Sequence, residues 1–111
     1  MKSGDSRPDK LSRAEARDVI REIASDGTRI IFHRHALARI AQRGILVTQV
    51  RQVVQTGAIV EGPYLDAQDC WRVDMQGRAA GARLTVALAI LWPERLLVIT
   101  VYEVNESGGR R

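Results

Sequence analysis

A histidine and two arginines recur at intervals of four residues in the segment HALARIAQR, at His35, Arg39 and Arg43. If this segment is a helix with about 100° between residues, the three side chains lie within about 80° of one another on its surface. The apolar residues of the segment fall on the other side of the helix, where they would face a core. The spacing therefore predicts an exposed row of one imidazole and two guanidinium groups.

This row could cleave RNA by activating the RNA's own 2′-hydroxyl group. The reaction needs a base at that hydroxyl, cations around the phosphate and a donor to the leaving oxygen. His35 would be the base, because imidazole exchanges a proton near neutral pH. Arg39 and Arg43 would be the cations, because guanidinium binds phosphate through paired hydrogen bonds. Tyr102 would be the donor or a ring for base stacking. Arg34 would join the two arginines in binding RNA.

The distribution of charge favours a phosphate-bearing partner. No Asp or Glu occurs between Thr28 and Val60, so a helix in this segment cannot neutralise its arginines locally. The chain has a net charge of +4, and 15 of its 17 basic residues are arginines; such clustering is typical of nucleic-acid-binding surfaces. Two alternatives stay open: a solvated helix face that pairs with acidic side chains elsewhere in the fold, and the codon usage of a GC-rich genome.

Other chemistry has a thinner basis in the sequence. His33 and His35 with Cys70 would make a small metal-ligand set, and no CxxC or HExxH spacing occurs. We therefore expect no metal ion and no cofactor. Cys70 is the single cysteine, so it cannot form an intramolecular disulfide bond.

The elements that must position the row are predicted to form an α+β domain. Residues 11–27 are expected to be an N-terminal helix that begins with a capping box of Ser12 and Glu15. A strand, a helical hairpin and four more strands should follow in the order β-α-α-β-β-β-β, with a mostly antiparallel sheet packed on the hairpin. The expected ranges are strand 28–32, helix 35–43, a helix capped by Thr48 that ends before Gly57, and strands 58–61, 70–76, 84–91 and 96–101. The last two strands should be central.

The remaining organisation is simple. The 111 residues suit one domain, at residues 28–104 after the helix, with disordered tails expected at residues 1–10 and 105–111. The chain start has no apolar core of signal-peptide length, and no apolar run approaches the ~20 residues that span a bilayer. We therefore expect a cytoplasmic protein with no membrane contact.

The run IIFHRHALARIAQRGILVTQVRQVVQTGAIVE, followed by VITVYEV, resembles the small bacterial proteins grouped as domain of unknown function 4258. The likeness extends from about Arg29 to Val104 and includes His35-Ala36-Leu37 and Arg43-Gly44-Ile45. It implies a RelE-like fold and a toxin of the RelE/ParE/MqsR kind, in a type II toxin–antitoxin system with a cognate antitoxin. The implied activity is metal-independent endonucleolytic cleavage of mRNA, including mRNA on the ribosome. The residues that it implies for this activity are His35, Arg39, Arg43 and Tyr102.

Further functions remain open on the sequence alone. RelE-like folds also occur in gyrase inhibitors that cut nothing, so fold analogy cannot establish cleavage. The chain could instead be a non-enzymatic binding module, either a toxin that blocks a protein target or an RNA-binding accessory domain. The N-terminal helix could also serve as an oligomer contact, for example in a homodimer.

Overall fold

The computed structural model describes residues 7–104, which fold as a mixed α+β structure, as predicted. The tails expected at 1–10 and 105–111 therefore lie largely outside the described residues. Within the described range the elements are α1 (Arg13–Ala24), a 3-10 turn (Gly27–Arg29), β1 (Ile30–Phe32), α2 (Arg34–Arg43), α3 (Val47–Thr56), β2 (Ala58–Leu65), β3 (Trp71–Ala79), β4 (Ala82–Leu91) and β5 (Arg95–Glu103).

Helix α1 begins with the predicted capping box. The Ser12 hydroxyl accepts a hydrogen bond from the Glu15 backbone N–H at 3.0 Å, and the Glu15 carboxylate accepts one from the Ser12 N–H at 2.9 Å. Together they satisfy two N–H groups that have no partner within the helix. The apolar side of the helix is buried, with Ile20 and Ile23 in the core. The helix ends at Ala24 rather than near Gly27.

The five strands form one sheet in the order β1-β5-β4-β3-β2. β1 is parallel to β5 and the other three pairs are antiparallel, in agreement with the predicted mostly antiparallel sheet. β4 lies at the centre, and every residue from Leu84 to Ile90 is buried. β5 was expected to be equally central, but β1 covers it only over Leu96–Val98. Beyond Val98 its outer edge faces α2.

The expected packing of the sheet on a helical hairpin is wrong in one respect. Helix α2 packs mainly on β5, whereas α3 packs on β3 and β4 and also contacts α1. The reason is that the apolar faces of both helices point at the sheet: Ala36 and Ile40 of α2, and Val50 and Val53 of α3, are buried there. The two helices therefore contact different strands instead of forming one paired unit.

Two further boundaries differ from the predictions. α3 begins at Val47, and the Gln49 side chain, not Thr48, caps it by accepting the Leu46 N–H at 2.8 Å. The first strand starts at Ile30, because the Asp26 carboxylate accepts the Thr28 N–H at 3.0 Å and holds the preceding residues in a turn.

The ends of β2 and β3 differ most from the predicted ranges. β2 continues to Leu65, beyond the predicted end at Glu61. Its pairing with β3 is irregular between Glu61 and Tyr64, where Gly62 has a φ of 88°, so the strand is interrupted at Gly62 and then resumes. β3 continues to Ala79, and a two-residue turn at Ala80 and Gly81, both with positive φ, joins it to β4. Positive φ at both positions suits the twist of a hairpin.

Candidate nucleic-acid interface

The start of helix α2 is fixed to the sheet through His33. The His33 backbone N–H donates to the Val98 carbonyl at 2.9 Å, which extends the contact between β1 and β5 by one residue. The His33 side chain then caps the helix, because its Nδ1 accepts the His35 backbone N–H at 3.1 Å. His33 therefore has a structural role at the helix N-terminus.

The predicted row on α2 is exposed. His35, Arg39 and Arg43 are accessible to solvent, while Ala36 and Ile40, which flank the row on the helix, are buried. Leu37 and Ala41 lie opposite the row and were expected to face the core, but they are exposed. The helix ends at Gly44, whose φ of 69° is the left-handed conformation that glycine adopts without strain. We call His35, Arg39 and Arg43 the α2 ridge. It extends for about 12 Å along the helix axis.

Arg43 connects the ridge to the sheet. Its Nη1 donates to the Val101 carbonyl at 2.9 Å, on the edge of β5 that β1 leaves uncovered. This bond uses one of the five N–H groups of the guanidinium. Arg43 can therefore hold α2 in place and still present donors to a ligand. The Arg39 guanidinium makes no hydrogen bond or ion pair with another described side chain.

The ridge has no acidic partner within residues 7–104. Ion pairs in that range include those of Arg7 with Asp9 and Asp69, and of Arg72 with Asp66, all away from α2. The sequence left open a solvated face that pairs with acidic side chains from elsewhere in the fold. No such pairing occurs among the described residues, so the positive potential of the ridge is available to an anion.

The structure does not bring Tyr102 to His35. Tyr102 is exposed, and it lies opposite Thr85 in the β4–β5 register. Its neighbour Val101 is fully buried in the core, and successive side chains of a strand point to opposite faces. Tyr102 therefore lies on the sheet face away from the helices, next to the carbonyl that Arg43 contacts. Within the described residues, no hydrogen bond joins Tyr102 to the ridge.

Arg51 is a nearby cation that the sequence reasoning missed. Its guanidinium lies over the Phe32 ring at 5.9 Å from the centroid, just before the start of α2. The Arg51 Nε is buried and has no hydrogen-bond partner among residues 7–104. Its position in the acid-free segment was the available signal, but only the fold shows that α3 brings it beside β1. Arg34, which was expected to bind RNA, is exposed at the first position of α2.

The possible metal ligands are not clustered. The His33 and His35 rings meet edge to face with centroids 4.8 Å apart, but Cys70 lies before β3. No group of three or more His, Cys, Asp or Glu side chains in residues 7–104 is placed to hold a metal ion. The groups available for chemistry on α2 are therefore one imidazole and the guanidinium groups around it.

The sheet face opposite the helices has a different electrostatic character. Asp74 lies directly opposite Glu61 in the β2–β3 register. Burial raises the pKa of Asp74, and the neighbouring Glu61 carboxylate raises it further, while Arg72 acts in the other direction. Two carboxylates at this point disfavour a phosphate beside Asp74.

Fold and site together define a small α+β protein that presents an exposed cationic helix at the edge of its sheet. A family model described as Domain of unknown function (DUF4258) matches residues 32–103, and the chain belongs to this family. The matched segment contains the whole ridge and Tyr102, and it leaves out α1. Comparisons with curated proteins and with solved structures gave no match. No helix in residues 7–104 has the length and apolar character needed to cross a membrane.

Proposed function

We propose that this chain is the toxin of a bacterial type II toxin–antitoxin system and that it cleaves mRNA without a metal ion. The observation that carries the proposal is the α2 ridge, where an exposed imidazole shares a helix face with two arginines that have no acidic partner among the described residues. Membership of the DUF4258 family gives further support, because the sequence resemblance to that family implies a toxin of the RelE/ParE/MqsR kind. A cognate antitoxin and a cytoplasmic location belong to the same proposal.

The reaction uses groups of the chain and of the RNA. His35 takes the proton from a 2′-hydroxyl, and the resulting oxygen attacks the adjacent phosphorus. The bond from phosphorus to the 5′-oxygen breaks, and that oxygen takes up a proton. The products are a 2′,3′-cyclic phosphate and a 5′-hydroxyl end. Arg39 stabilises the charge on the phosphate oxygens, and His35 returns its proton to solvent or to the leaving oxygen.

The other residues contribute to RNA binding. Arg34 and Arg43 contact neighbouring phosphates, and Arg43 does so while its Nη1 remains on Val101. Tyr102 lies across the β5 edge from the ridge, so it meets a different nucleotide from the one that His35 attacks. We therefore assign Tyr102 to stacking on a base rather than to proton donation.

One observation favours a second function, which is RNA binding without cleavage. The His35 imidazole contacts the His33 ring, and no hydrogen bond from another described side chain orients it. A general base is usually held by a third group that fixes its direction. In this second function the arginines are essential and His35 is dispensable.

The deciding experiment incubates the purified full chain with a labelled single-stranded RNA in excess EDTA. We expect cleavage by the wild type and a loss of rate of about 10²–10⁴-fold in His35→Gln, the usual contribution of a general base. Arg39→Ala should weaken RNA binding and lower the salt slope of log K by about 0.7, the value for one phosphate contact on a single strand. Arg95→Ala, which removes an exposed arginine at the start of β5, is the matched control. It should change neither the cleavage rate nor the RNA affinity.

The outcomes separate the two functions. The binding module would be established if the wild type binds RNA without cleaving it and His35→Gln binds RNA with the same affinity. If the wild type neither binds nor cleaves RNA, both functions are refuted. In cells, induced expression should arrest growth, and His35→Ala should relieve the arrest.

A further inference from the structure

A second row of arginines lies on helix α1, outside the segment that the family model matches. Arg13, Arg17 and Arg21 are exposed and follow one another at intervals of four residues. With Ala14, Ala58 and Ile59 they line a groove of about 330 Å³ between α1 and the start of β2. This volume is at the lower end of the range for ligand clefts, about 300–1,000 Å³.

The groove is cationic because α1 segregates its charges. The acidic residues of the helix, Glu15, Asp18 and Glu22, are centred about 130° around the helix from the centre of the arginine row, and the nearest of them, Asp18, lies about 60° from Arg21. No carboxylate lines the groove. Within residues 7–104 no ion pair involves Arg17 or Arg21. A ligand with several negative charges is therefore the complement of this surface.

The other wall of the groove is the start of β2, the edge strand of the sheet. β2 is the last strand in the sheet order, so one of its edges has no neighbouring strand. The Gly62 carbonyl of β2 accepts a hydrogen bond from Arg13 Nε at 3.0 Å, so the start of α1 contacts this edge strand. Backbone groups on a free edge are the natural partners of another extended peptide.

We propose that this groove binds an extended, acidic peptide segment of a partner protein. Arginines four residues apart on a helix repeat about every 6 Å, and every second side chain of an extended peptide repeats about every 6.6 Å. Carboxylates at alternate positions can therefore meet successive arginines. RNA fits this groove less well, because no aromatic ring lines it for base stacking.

The test uses the full chain and a fluorescein-labelled ten-residue peptide in which glutamate alternates with threonine. Binding is measured by fluorescence anisotropy at low and at moderate salt. The control peptide has glutamine in place of glutamate. We expect the glutamate peptide to bind, salt to weaken it, and the control peptide not to bind. This comparison needs only the wild-type protein.

Two double variants with the same loss of charge locate the site. Arg17→Gln with Arg21→Gln should weaken the glutamate peptide about tenfold, as expected for two exposed charge pairs. Arg34→Gln with Arg39→Gln on α2 should leave this binding unchanged. Arg13 stays in place because it contacts Gly62. Thermal unfolding of each variant by circular dichroism verifies the fold.

Three results would overturn the proposal. Equal weakening by both double variants would mean that only net charge matters, and equal binding of the glutamine peptide would exclude carboxylate recognition. Displacement of the peptide by a ten-nucleotide uridine RNA in the α2 double variant would make the groove a nucleic-acid site. Because the groove and the ridge share no residue, the failure of RNA cleavage would leave this proposal standing.

Discussion

Replacing Arg43 by alanine should destabilise the fold, whereas the same replacement at Arg39 should not. Arg43 donates to the Val101 carbonyl at 2.9 Å, and Arg39 makes no comparable contact among the described residues. A hydrogen bond from a charged group is worth about 1.5–3 kcal/mol when buried. Since Arg43 is exposed and water can replace part of the bond, we expect a loss of about 1 kcal/mol. This loss corresponds to a fall in Tm of about 4 °C for a domain of this size.

The assay is urea denaturation at pH 7, followed by circular dichroism, on the wild type and both variants. Each variant removes one positive charge from the same helix and introduces alanine, the best helix former. The changes in helix propensity and net charge are therefore the same in both variants and cancel when their free energies of unfolding are compared. Arg39→Ala should stay within about 0.5 kcal/mol of the wild type. Equal free energies of unfolding for the two variants would refute the argument that Arg43 connects α2 to β5. The result also matters for function, because the RNA binding of an Arg43 variant has to be measured below its lowered Tm.

Four further substitutions concern the scaffold, and urea denaturation tests each. Gly57→Ala should cost about 2 kcal/mol, because a Cβ would meet the Gln76 carbonyl oxygen at 2.5 Å; Gly44→Ala, with nothing within 4 Å but a φ of 69°, should cost about 1 kcal/mol. Ser12→Ala should cost about 1 kcal/mol through loss of the capping box. Asp74→Asn should stabilise the fold at pH 7, because burial raises the pKa of Asp74 and its charged form is disfavoured. The native state then binds the proton more tightly than the unfolded state, so the advantage should shrink as the pH falls towards 3.8, the ordinary value. If Asp74→Asn is more stable than the wild type by the same amount at every pH between 7 and 3.8, the inferred direction of the pKa shift is wrong.

The local signals in the sequence predicted the helices well. The capping box of Ser12 and Glu15 fixed the start of α1, and Gly44 fixed the end of α2. Both signals depend on contacts between residues at most a few positions apart. The start of α3 was missed because its cap comes from Gln49, which reaches back to the Leu46 N–H. A side chain three residues into the helix replaces the hydroxyl cap that Thr48 was expected to provide.

The strand boundaries depended on contacts that the sequence does not display. Gly62 has a φ of 88°, and a Cβ there would come within 2.6 Å of the Arg72 carbonyl oxygen. The ladder between β2 and β3 is irregular at this point and resumes at Tyr64. Only the pairing of β2 with β3 shows that the strand continues past Gly62. The packing of α2 and α3 on different strands likewise depends on the order of strands in the sheet, and periodicity alone does not reveal that order.

The α2 ridge illustrates the same division within the candidate site. Helical periodicity placed His35, Arg39 and Arg43 on one face, and the structure agrees. What the spacing could not show is that α2 is attached to β5 at both ends, by the His33 N–H on Val98 and by the Arg43 guanidinium on Val101. Contacts between residues distant in the sequence thus hold the ridge in place before any ligand arrives. Such preorganisation lowers the entropy cost of binding. Tyr102 lies on the other side of the β5 edge for a different reason, which is that successive side chains of a strand point to opposite faces.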